Sequence, residues 1–477
     1  MMNNVLLAAA YLASAILFVL GLKALNSPQT ARRGILLAEI GMLLAVVGTL
    51  LRSEIIQYQW ILIGLVVGSI IGTLMAMFMP MTAMPQRIAI SHSFGAIAAT
   101  LVGIVEYYEH RNGLTIDHGT MAALGFEVLF GSITITGSLM AFGKLQELVK
   151  SAPVIYRFQN VSNIALFVVM VGVFVFLIVR PDTAFLFYGM IATGLLLGVL
   201  IVLPIGGADM PVVLALLNSY AGLASAATGL VISNNVLLIA GALDGTSGFF
   251  LSMMMSQAMN RSFTNVLFGA VGAVKQGAQV EVEARTVTRY TPEDAAYILE
   301  SAQSVIIIPG YGMAVAQAQH AVQELAALLM ERGATVRYAI HPVAGRMPGH
   351  MNVLLAEANV PYDLLCEPEQ INDDFQSTDV ALVIGANDVV NPAARYKKES
   401  PLYGMPILNA DQAQTVMILK RSLSPGFAGE DNDLFYEKKT MMIFGDAKAT
   451  LTNLNQLFKK TAPAQASQAA TLEVIHL

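Results

Sequence analysis

Two kinds of hydrophobic pattern divide the chain into unlike parts. A helix that crosses a bilayer core needs about 20 apolar residues, and nine windows in the first 260 residues meet this requirement. They cover roughly residues 4–22, 34–51, 60–79, 88–106, 121–142, 161–179, 184–203, 212–232 and 236–256. No basic n-region precedes the first window, which is typical of an uncleaved span rather than a signal peptide. The pattern predicts a polytopic all-α membrane domain with nine transmembrane helices.

From about residue 291, short apolar runs alternate with helical segments. Thr291 as N-cap, Pro292 at the first helical position and Asp294 two residues later predict a capped helix, and a second helix is expected over Ala314–Arg332. The predicted strands are Ser304–Ile308, Thr335–Ile340, Tyr362–Leu365, Val380–Ile384, Pro406–Leu408 and Val416–Leu419. Six strands with helical crossovers predict a soluble, Rossmann-like, doubly wound parallel α/β domain.

These patterns give a domain organisation. We expect a transmembrane domain over 1–260, a linker over 261–290, a nucleotide-binding domain over 291–460 and a flexible tail over 461–477. In the third span Gly64, Gly68 and Gly72 lie on one helix face, which favours close packing against a neighbouring helix.

The amino-acid composition supports the division of the chain into a part that lies in lipid and a part that lies in water. The chain is 55% hydrophobic and 13% charged, with a mean hydropathy of +0.62, whereas soluble chains carry roughly a quarter charged residues. The net charge of −6 argues against nucleic-acid binding. The single cysteine, Cys366, excludes an intramolecular disulfide and suits a reducing compartment.

Loop charges predict the orientation of the chain in the membrane. Loops on the side of the C-terminus carry eight basic residues: Lys23, Arg32, Arg33, Arg87, Lys144, Lys150, Arg157 and Arg261. The opposite loops carry three: Arg52, Arg111 and Arg180. Because positive charge collects in cytoplasmic loops, the C-terminal domain is expected in the cytoplasm.

A dinucleotide fingerprint follows the first predicted strand. Gly310, Gly312 and Val315 stand in a G-x-G-x-x-A/V pattern between a strand and a helix, where glycine permits a tight turn and close approach to a pyrophosphate. A purely structural turn remains the alternative, because a lone G-x-G is weak evidence.

Two features favour NADP(H) over NAD(H). The second strand ends at His341 without the acidic residue that would bind a ribose 2′-hydroxyl. Lys420 and Arg421 are adjacent cations at the end of the last predicted strand, and such a pair suits a 2′-phosphate. A solvated charge pair is the alternative. Arg346 in a Gly/Pro-rich loop is a candidate phosphate ligand, and Asp388 and Asp446 are candidate acceptors for ribose or carboxamide groups.

Polar residues inside the spans are candidate parts of a proton pathway, because such residues are costly in a bilayer. An imidazole ordinarily titrates near neutral pH, so His92 suits a relay, and Asn218 can hydrogen-bond across helices. Asp209 lies between the seventh and eighth spans as a candidate coupling residue. Helix packing is the alternative for His92 and Asn218, and helix capping is the alternative for Asp209. No role is assigned to Glu39, Glu127 or Asp244.

Long strings of the sequence resemble the β subunit of proton-translocating NAD(P) transhydrogenase. The soluble part carries them at 309–319, 341–358, 370–375, 384–394, Lys420-Arg421-Ser422 and 445–449. The membrane part carries SHSF at 91–94, GGADMPVVLALLNSY at 206–220 and QAMNRSF at 257–263. The resemblance extends over nearly the whole chain.

The resemblance implies an enzyme that passes hydride from NADH to NADP+ as protons move inward. It assigns NADP(H) to this chain and NAD(H) to a separate α subunit, in a homodimer of αβ units in the cell inner membrane. His92 and Asn218 would belong to the proton pathway. The implied NADP(H) contacts are Tyr311, Val343, Ala344, Gly345, Arg346, Met347, Pro348, Gly385, Ala386, Asn387, Asp388, Val389, Gly404, Met405, Lys420, Arg421, Ser422, Leu423, Ser424, Pro425, Gly426, Phe427, Asp446 and Ala447.

The chain departs from the family pattern at two positions. Phe427 stands where a tyrosine is common, and Asp244 stands where an apolar residue is expected. The family also binds its dinucleotide in the reverse of the usual Rossmann sense, which weakens the argument from the missing acid. This orientation does not affect the argument for NADP(H) from Lys420 and Arg421.

Two other function classes remain open. An NADP(H)-regulated ion transporter or channel would conduct ions without hydride chemistry. A membrane enzyme that reduces quinone would need a haem, flavin or iron–sulfur site, and the sequence offers no metal-ligand set of that kind.

Overall fold

The structure is a computed structural model that describes residues 2–51, 57–113, 116–150, 153–207, 209–260, 263, 285–400, 402–426 and 428–460. The chain divides into two compact units, and the change of unit falls between Gln257 and Val274. Most of the predicted linker, the predicted tail, Arg261 and Phe427 lie outside the described residues.

The first unit consists of membrane-length helices. Nine helices among its described residues are long and apolar enough to cross a bilayer, which confirms the predicted spans. They are α1 Met2–Ala24, α2 Pro28–Leu50, α3 Tyr58–Phe78, α4 Met84–Gly113, α5 His118–Leu145, α6 Gln159–Val179, α7 Ala184–Val202, α8 Met210–Val231 and α9 Asn235–Ala258.

Small residues and stacked rings set the packing of these helices. A Cβ on Gly34 of α2 would lie 2.8 Å from the Gly21 oxygen of α1, so the two backbones nearly touch. Tyr107 of α4 stacks on Phe187 of α7 with ring centroids 3.9 Å apart, within a core that α4, α5, α6 and α7 share. Small residues allow this close approach, which is the main source of helix association in lipid.

Helices α8 and α9 approach each other more closely still. A Cβ on Gly222 would lie 2.3 Å from the Gly245 nitrogen, and a Cβ on Gly241 would lie 2.4 Å from the Ala226 nitrogen. Ser219 Oγ donates to the Gly245 oxygen at 2.7 Å. The register between α8 and α9 therefore depends on glycine at the contact.

The glycine face of α3 makes no such contact. Nothing among the described residues lies within 4 Å of a Cβ built on Gly64, Gly68 or Gly72. Its packing partner, which the sequence pattern favours, is therefore not a described helix of this chain.

The second unit is an α/β domain around a parallel six-stranded sheet of order β3-β2-β1-β4-β5-β6. The strands are β1 Ser304–Pro309, β2 Thr335–Ala339, β3 Leu365–Cys366, β4 Val380–Ile384, β5 Thr415–Lys420 and β6 Thr440–Phe444. The helices are α10 Pro292–Ser301, α11 Tyr311–Val315, α12 Gln319–Glu331, α13 His350–Glu357, α14 Pro368–Ile371, α15 Ala393–Tyr396 and α16 Ala447–Lys460. This order confirms the doubly wound fold.

One predicted strand is wrong, and one strand was missed. Pro406–Leu408 is not in the sheet: Pro406 has no N–H to donate, and Ile407 and Leu408 are buried as loop residues in the core. The sixth strand is instead Thr440–Phe444, whose methionines give a weak β signal. Lys420 therefore ends the fifth strand and not the sixth.

Two other predicted elements are corrected. The helix expected over Ala314–Arg332 breaks between α11 and α12, where Gln317 takes a φ of 50°. Most of the strand expected at Tyr362–Leu365 is a 3-10 turn, Tyr362–Leu364. The cap of α10 is confirmed, since Thr291 and Asp294 bond reciprocally to each other's backbone N–H.

Candidate functional site

The carboxyl edge of the sheet gathers most of the predicted nucleotide-binding residues. Strands β1 and β4 are neighbours, and the chain builds the sheet outward in opposite directions from this pair. Parallel sheets bind ligands at such a switch point, outside the carboxyl ends of the strands. The loops that follow β1, β2, β4, β5 and β6 all begin at this edge.

The fingerprint glycines hold two of these loops together. The Gly312 N–H donates to the Gly385 oxygen at 2.9 Å. A Cβ on Gly310 would lie 2.4 Å from the Ala386 backbone, and a Cβ on Gly312 would lie 2.7 Å from the Gly385 Cα. Gly385 itself has a φ of 65°. Loop-to-loop contact is thus one physical reason for glycine at these positions.

Two histidines fix the loop after β2. His341 Nδ1 accepts from the Val343 N–H at 3.3 Å, so its Nε2 donates to the Pro406 oxygen at 2.7 Å. At the other end of the loop, the Arg346 N–H donates to His350 Nδ1 at 3.1 Å. Gly345 between them has a φ of 107° and no room for a side chain beside His350. The loop is therefore held at both ends by neutral imidazoles.

The charge of this loop resides on Arg346. Its guanidinium carbon lies 4.4 Å from the centroid of the Tyr311 ring, a cation–π distance. Burial lowers the pKa of His341. Burial together with the Arg346 charge lowers the pKa of His350 to about 4. Ala344 and Met347 are buried beside Arg346, whereas Val343 and Pro348 are half-buried.

The two adjacent cations at the end of β5, Lys420 and Arg421, have different surroundings. Lys420 Nζ donates to the Ser424 oxygen at 2.5 Å and lies 4.6 Å from the Phe435 ring centroid. Burial lowers the pKa of Lys420 to about 8. Arg421 is exposed, and among the described residues its guanidinium has no hydrogen-bond partner. Lys420 shapes the loop, and Arg421 is available to a ligand.

The loop after β4 packs against the loop after β5. Asp388 accepts from the Ala428 N–H at 2.9 Å, and a Cβ on Gly426 would lie 2.3 Å from Asp388 Oδ1. With its amide oxygen turned toward Lys420, Asn387 accepts from Lys420 Nζ at 2.9 Å and from the Gly426 N–H at 2.6 Å. The structure therefore joins two groups of predicted residues that lie far apart in sequence.

Other predicted residues have a local role or lie apart. Asp446 accepts from the Ala449 N–H at 3.1 Å at the start of α16, next to buried Ala447. Gly404 has a φ of 80°, beside buried Met405. Val315 is exposed, Ser422 bonds Ser424, Leu423 packs on the core around Val389, and Pro425 is exposed.

Within the first unit, a polar chain links three helices. Asn218 Nδ2 of α8 donates to Asp244 Oδ1 of α9 at 3.1 Å. Asn218 is also a polar neighbour of His92 on α4. The sequence predicted His92 and Asn218 separately and assigned Asp244 no role. The structure brings the three together.

Two more polar groups bond across the helices of this unit. Thr228 Oγ1 of α8 donates to Glu127 Oε1 of α5 at 2.8 Å, and Glu127 is 0% exposed. Lys144, counted above among loop charges, is buried in the last turn of α5 and donates to the Ile205 oxygen at 2.8 Å. Asp209 is the N-cap residue of α8, but its side chain makes no capping hydrogen bond.

Phe435 was not predicted as part of the site, and the role of His341 and His350 in holding the loop was not predicted either. The two histidines bracket a loop rich in glycine and proline, which was a usable signal for residues that fix a loop. Phe435 lies 15 positions after Lys420, and only the fold brings its ring beneath the ammonium group.

The histidine at 350 predicts how stability depends on pH. The unfolded chain binds a proton at the ordinary histidine pKa of about 6.5, whereas the folded loop resists protonation until about 4. The free energy of unfolding of the second unit should have its full value above the pKa of about 6.5 that the histidine has in the unfolded chain. It should fall by roughly 3 kcal/mol as the pH drops to 4. Pulse proteolysis in urea between pH 4 and 7 measures this loss, which should be smaller in His350→Gln. The exposed His320→Gln is the matched control, and equal slopes in all three proteins would contradict the assignment.

Comparison with known proteins agrees with this architecture. A family model described as NAD(P) transhydrogenase beta subunit matches residues 7–457. The chain is 46% identical over 458 residues to NAD(P) transhydrogenase subunit beta of Rhodospirillum rubrum, and the alignment covers 94% of this chain and 98% of the relative. A second sequence of that subunit, from a named strain of the same species, matches equally well. This membrane protein therefore belongs to the NAD(P) transhydrogenase beta subunit family.

Proposed function

We propose that this chain is the NADP(H)-binding and proton-translocating subunit of a transhydrogenase. Residues 1–260 would form the membrane domain, 291–460 the NADP(H)-binding domain, 261–290 the linker and 461–477 a flexible tail. The observation that supports the proposal most directly is exposed Arg421 at the carboxyl edge of the sheet, beside the switch point between β1 and β4.

The residues of the crevice fit a phosphorylated dinucleotide. Arg421 would meet the 2′-phosphate, since a guanidinium offers forked donors to phosphate oxygens. Arg346 would meet the pyrophosphate from the loop that His341 and His350 hold in place. Asp388 would fix the loop after β5 through the Ala428 N–H.

Hydride transfer requires a second nucleotide site. NADP+ bound in the crevice would accept a hydride, and the donor NADH would have to approach to within about 3.5 Å. The described residues form one parallel sheet, with the dinucleotide fingerprint at its edge, which supports an NAD(H)-binding α subunit as the partner. A second glycine-rich segment, Ile205 to Gly207, lies between the membrane helices α7 and α8, so it does not follow a strand as a fingerprint would. We also propose a homodimer of the αβ unit, which rests on the family alone.

Proton movement is assigned to the membrane helices. His92 would take up and release the proton, with Asn218 as its polar neighbour, and Asp209 would couple this step to nucleotide binding. The protein would lie in the inner membrane with its C-terminal domain in the cytoplasm, because seven basic residues, without the buried Lys144, stand in or near the loops on that side and three on the other.

Purification with and without the α subunit tests the function. The chain alone should bind NADP+ and give no hydride transfer, because it supplies one nucleotide site. The complex in proteoliposomes should reduce an NADP+ analogue with NADH and should change the lumenal pH, as a trapped dye reports. Ion flux without hydride transfer by the complex would instead favour a nucleotide-gated channel.

Arg421→Gln tests nucleotide selectivity. Loss of a charged hydrogen bond costs about 1.5–3 kcal/mol, so NADP+ should bind the full chain roughly 10- to 100-fold more weakly, with NAD+ affinity unchanged. Calorimetry in detergent measures both ligands. Lys460→Gln, which removes an exposed cation from the end of α16, should bind both as the wild type does. An equal loss of NADP+ and NAD+ affinity in Arg421→Gln would argue against a 2′-phosphate site.

His92→Ala tests the proton pathway. The variant complex should keep its NADP+ affinity and lose proton movement coupled to hydride transfer, because the titrating group is absent. Thr193→Ala on α7 is a suitable control, since its hydroxyl bonds the Gly189 oxygen of its own helix and no other described residue. Wild-type proton movement in His92→Ala would remove His92 from the pathway.

A further inference from the structure

Asp244 is an ionisable residue in the middle of a membrane helix. It lies ten positions into α9, and its side chain is exposed on the flank of the isolated chain. A carboxylate at this depth costs several kcal/mol unless it has a partner or a function. Its partner is Asn218 Nδ2 of α8, at 3.1 Å.

Glycine packing holds the two side chains at this distance. Gly248 lies one turn after Asp244, and a Cβ there would come within 3.0 Å of Asn218 Nδ2. Ser219, next to Asn218, bonds the oxygen of Gly245, next to Asp244. Close packing of α8 and α9 on either side of the pair therefore holds the carboxylate against the amide.

The bond to Asp244 fixes the orientation of the Asn218 amide. A carboxylate accepts hydrogen bonds and an amide has one donating and one accepting end. When the amide nitrogen points to Asp244, the amide oxygen is the end left for His92. The amide oxygen can accept a hydrogen bond from a ring N–H of His92, whereas an amide NH2 group facing that N–H would repel it. The orientation of Asn218 thus favours the protonated imidazole.

We propose that Asp244 is a positioning residue of the proton pathway: it holds the Asn218 amide so that its oxygen faces His92. Asp244 acts through Asn218 and itself neither takes up nor releases the transported proton. The inference rests on the proposed role of His92 in proton movement. Asn218 is the side chain that meets both ionisable groups, since it donates to Asp244 and lies beside His92.

The test uses the complete complex in proteoliposomes, with hydride transfer and proton movement recorded across a range of pH. Asp244→Val removes the acceptor, so the Asn218 amide is free to turn its NH2 group toward His92. Coupled proton movement should fall roughly three- to twentyfold, the size expected of one interhelical hydrogen bond in a membrane. The pH profile should shift toward acid, because His92 then needs a lower pH to take up a proton.

Conservative variants separate positioning from folding. Asp244→Asn keeps an oxygen that can accept from Asn218, and Asp244→Glu keeps the carboxylate, so both should lose less than Asp244→Val and keep the wild-type profile. Thr246→Val on the same helix is the matched control, since its hydroxyl bonds the Ala242 oxygen of its own helix and no other described residue. It should behave as the wild type.

Two outcomes would overturn the inference. One is an unchanged rate and pH profile in Asp244→Val. The other is a loss of rate with an unshifted profile and no recovery in Asp244→Glu, which would make Asp244 a structural residue only. A wild-type complex that transfers hydride without moving protons would instead overturn the proposed function, so it is measured first.

Discussion

Polar groups in lipid must find a partner, and this requirement determines how the membrane helices are arranged. Glu127 pairs with Thr228, Lys144 with the Ile205 carbonyl and Asp244 with Asn218. Each pair joins different helices or a helix and a loop, because a polar side chain deep in a bilayer has no water to bond. The arrangement of α5, α8 and α9 thus follows from a few hydrogen bonds as much as from apolar contact.

The fold was largely predictable because segments in lipid and segments in water have different hydrophobic patterns. Nine long apolar windows could only be membrane helices, and alternation of strands with helices gave the parallel sheet. The errors arose where hydrophobicity does not specify hydrogen bonding. Pro406–Leu408 is as apolar as a strand but lies in a buried loop, whereas Thr440–Phe444 completes the sheet with residues of modest β propensity.

The site was predictable in place but not in detail. The glycines after β1 marked the correct edge of the sheet, yet their contact with Gly385 depends on a loop more than 70 residues later. Lys420 and Arg421 look equivalent in sequence. The fold separates them, since Phe435 and Ser424 engage the lysine while the arginine stays exposed. The link between Asn218 and Asp244 was equally hidden, because it depends on the register of two helices.

The glycine contact between α8 and α9 has a mechanical consequence. Backbones that already touch at Gly222 and Gly245 can neither slide nor rotate past each other without a steric clash. The two helices must therefore tilt or shift as one rigid hairpin, joined by the short turn from Ile232 to Asn234. A displacement of α8 would therefore carry α9 with it.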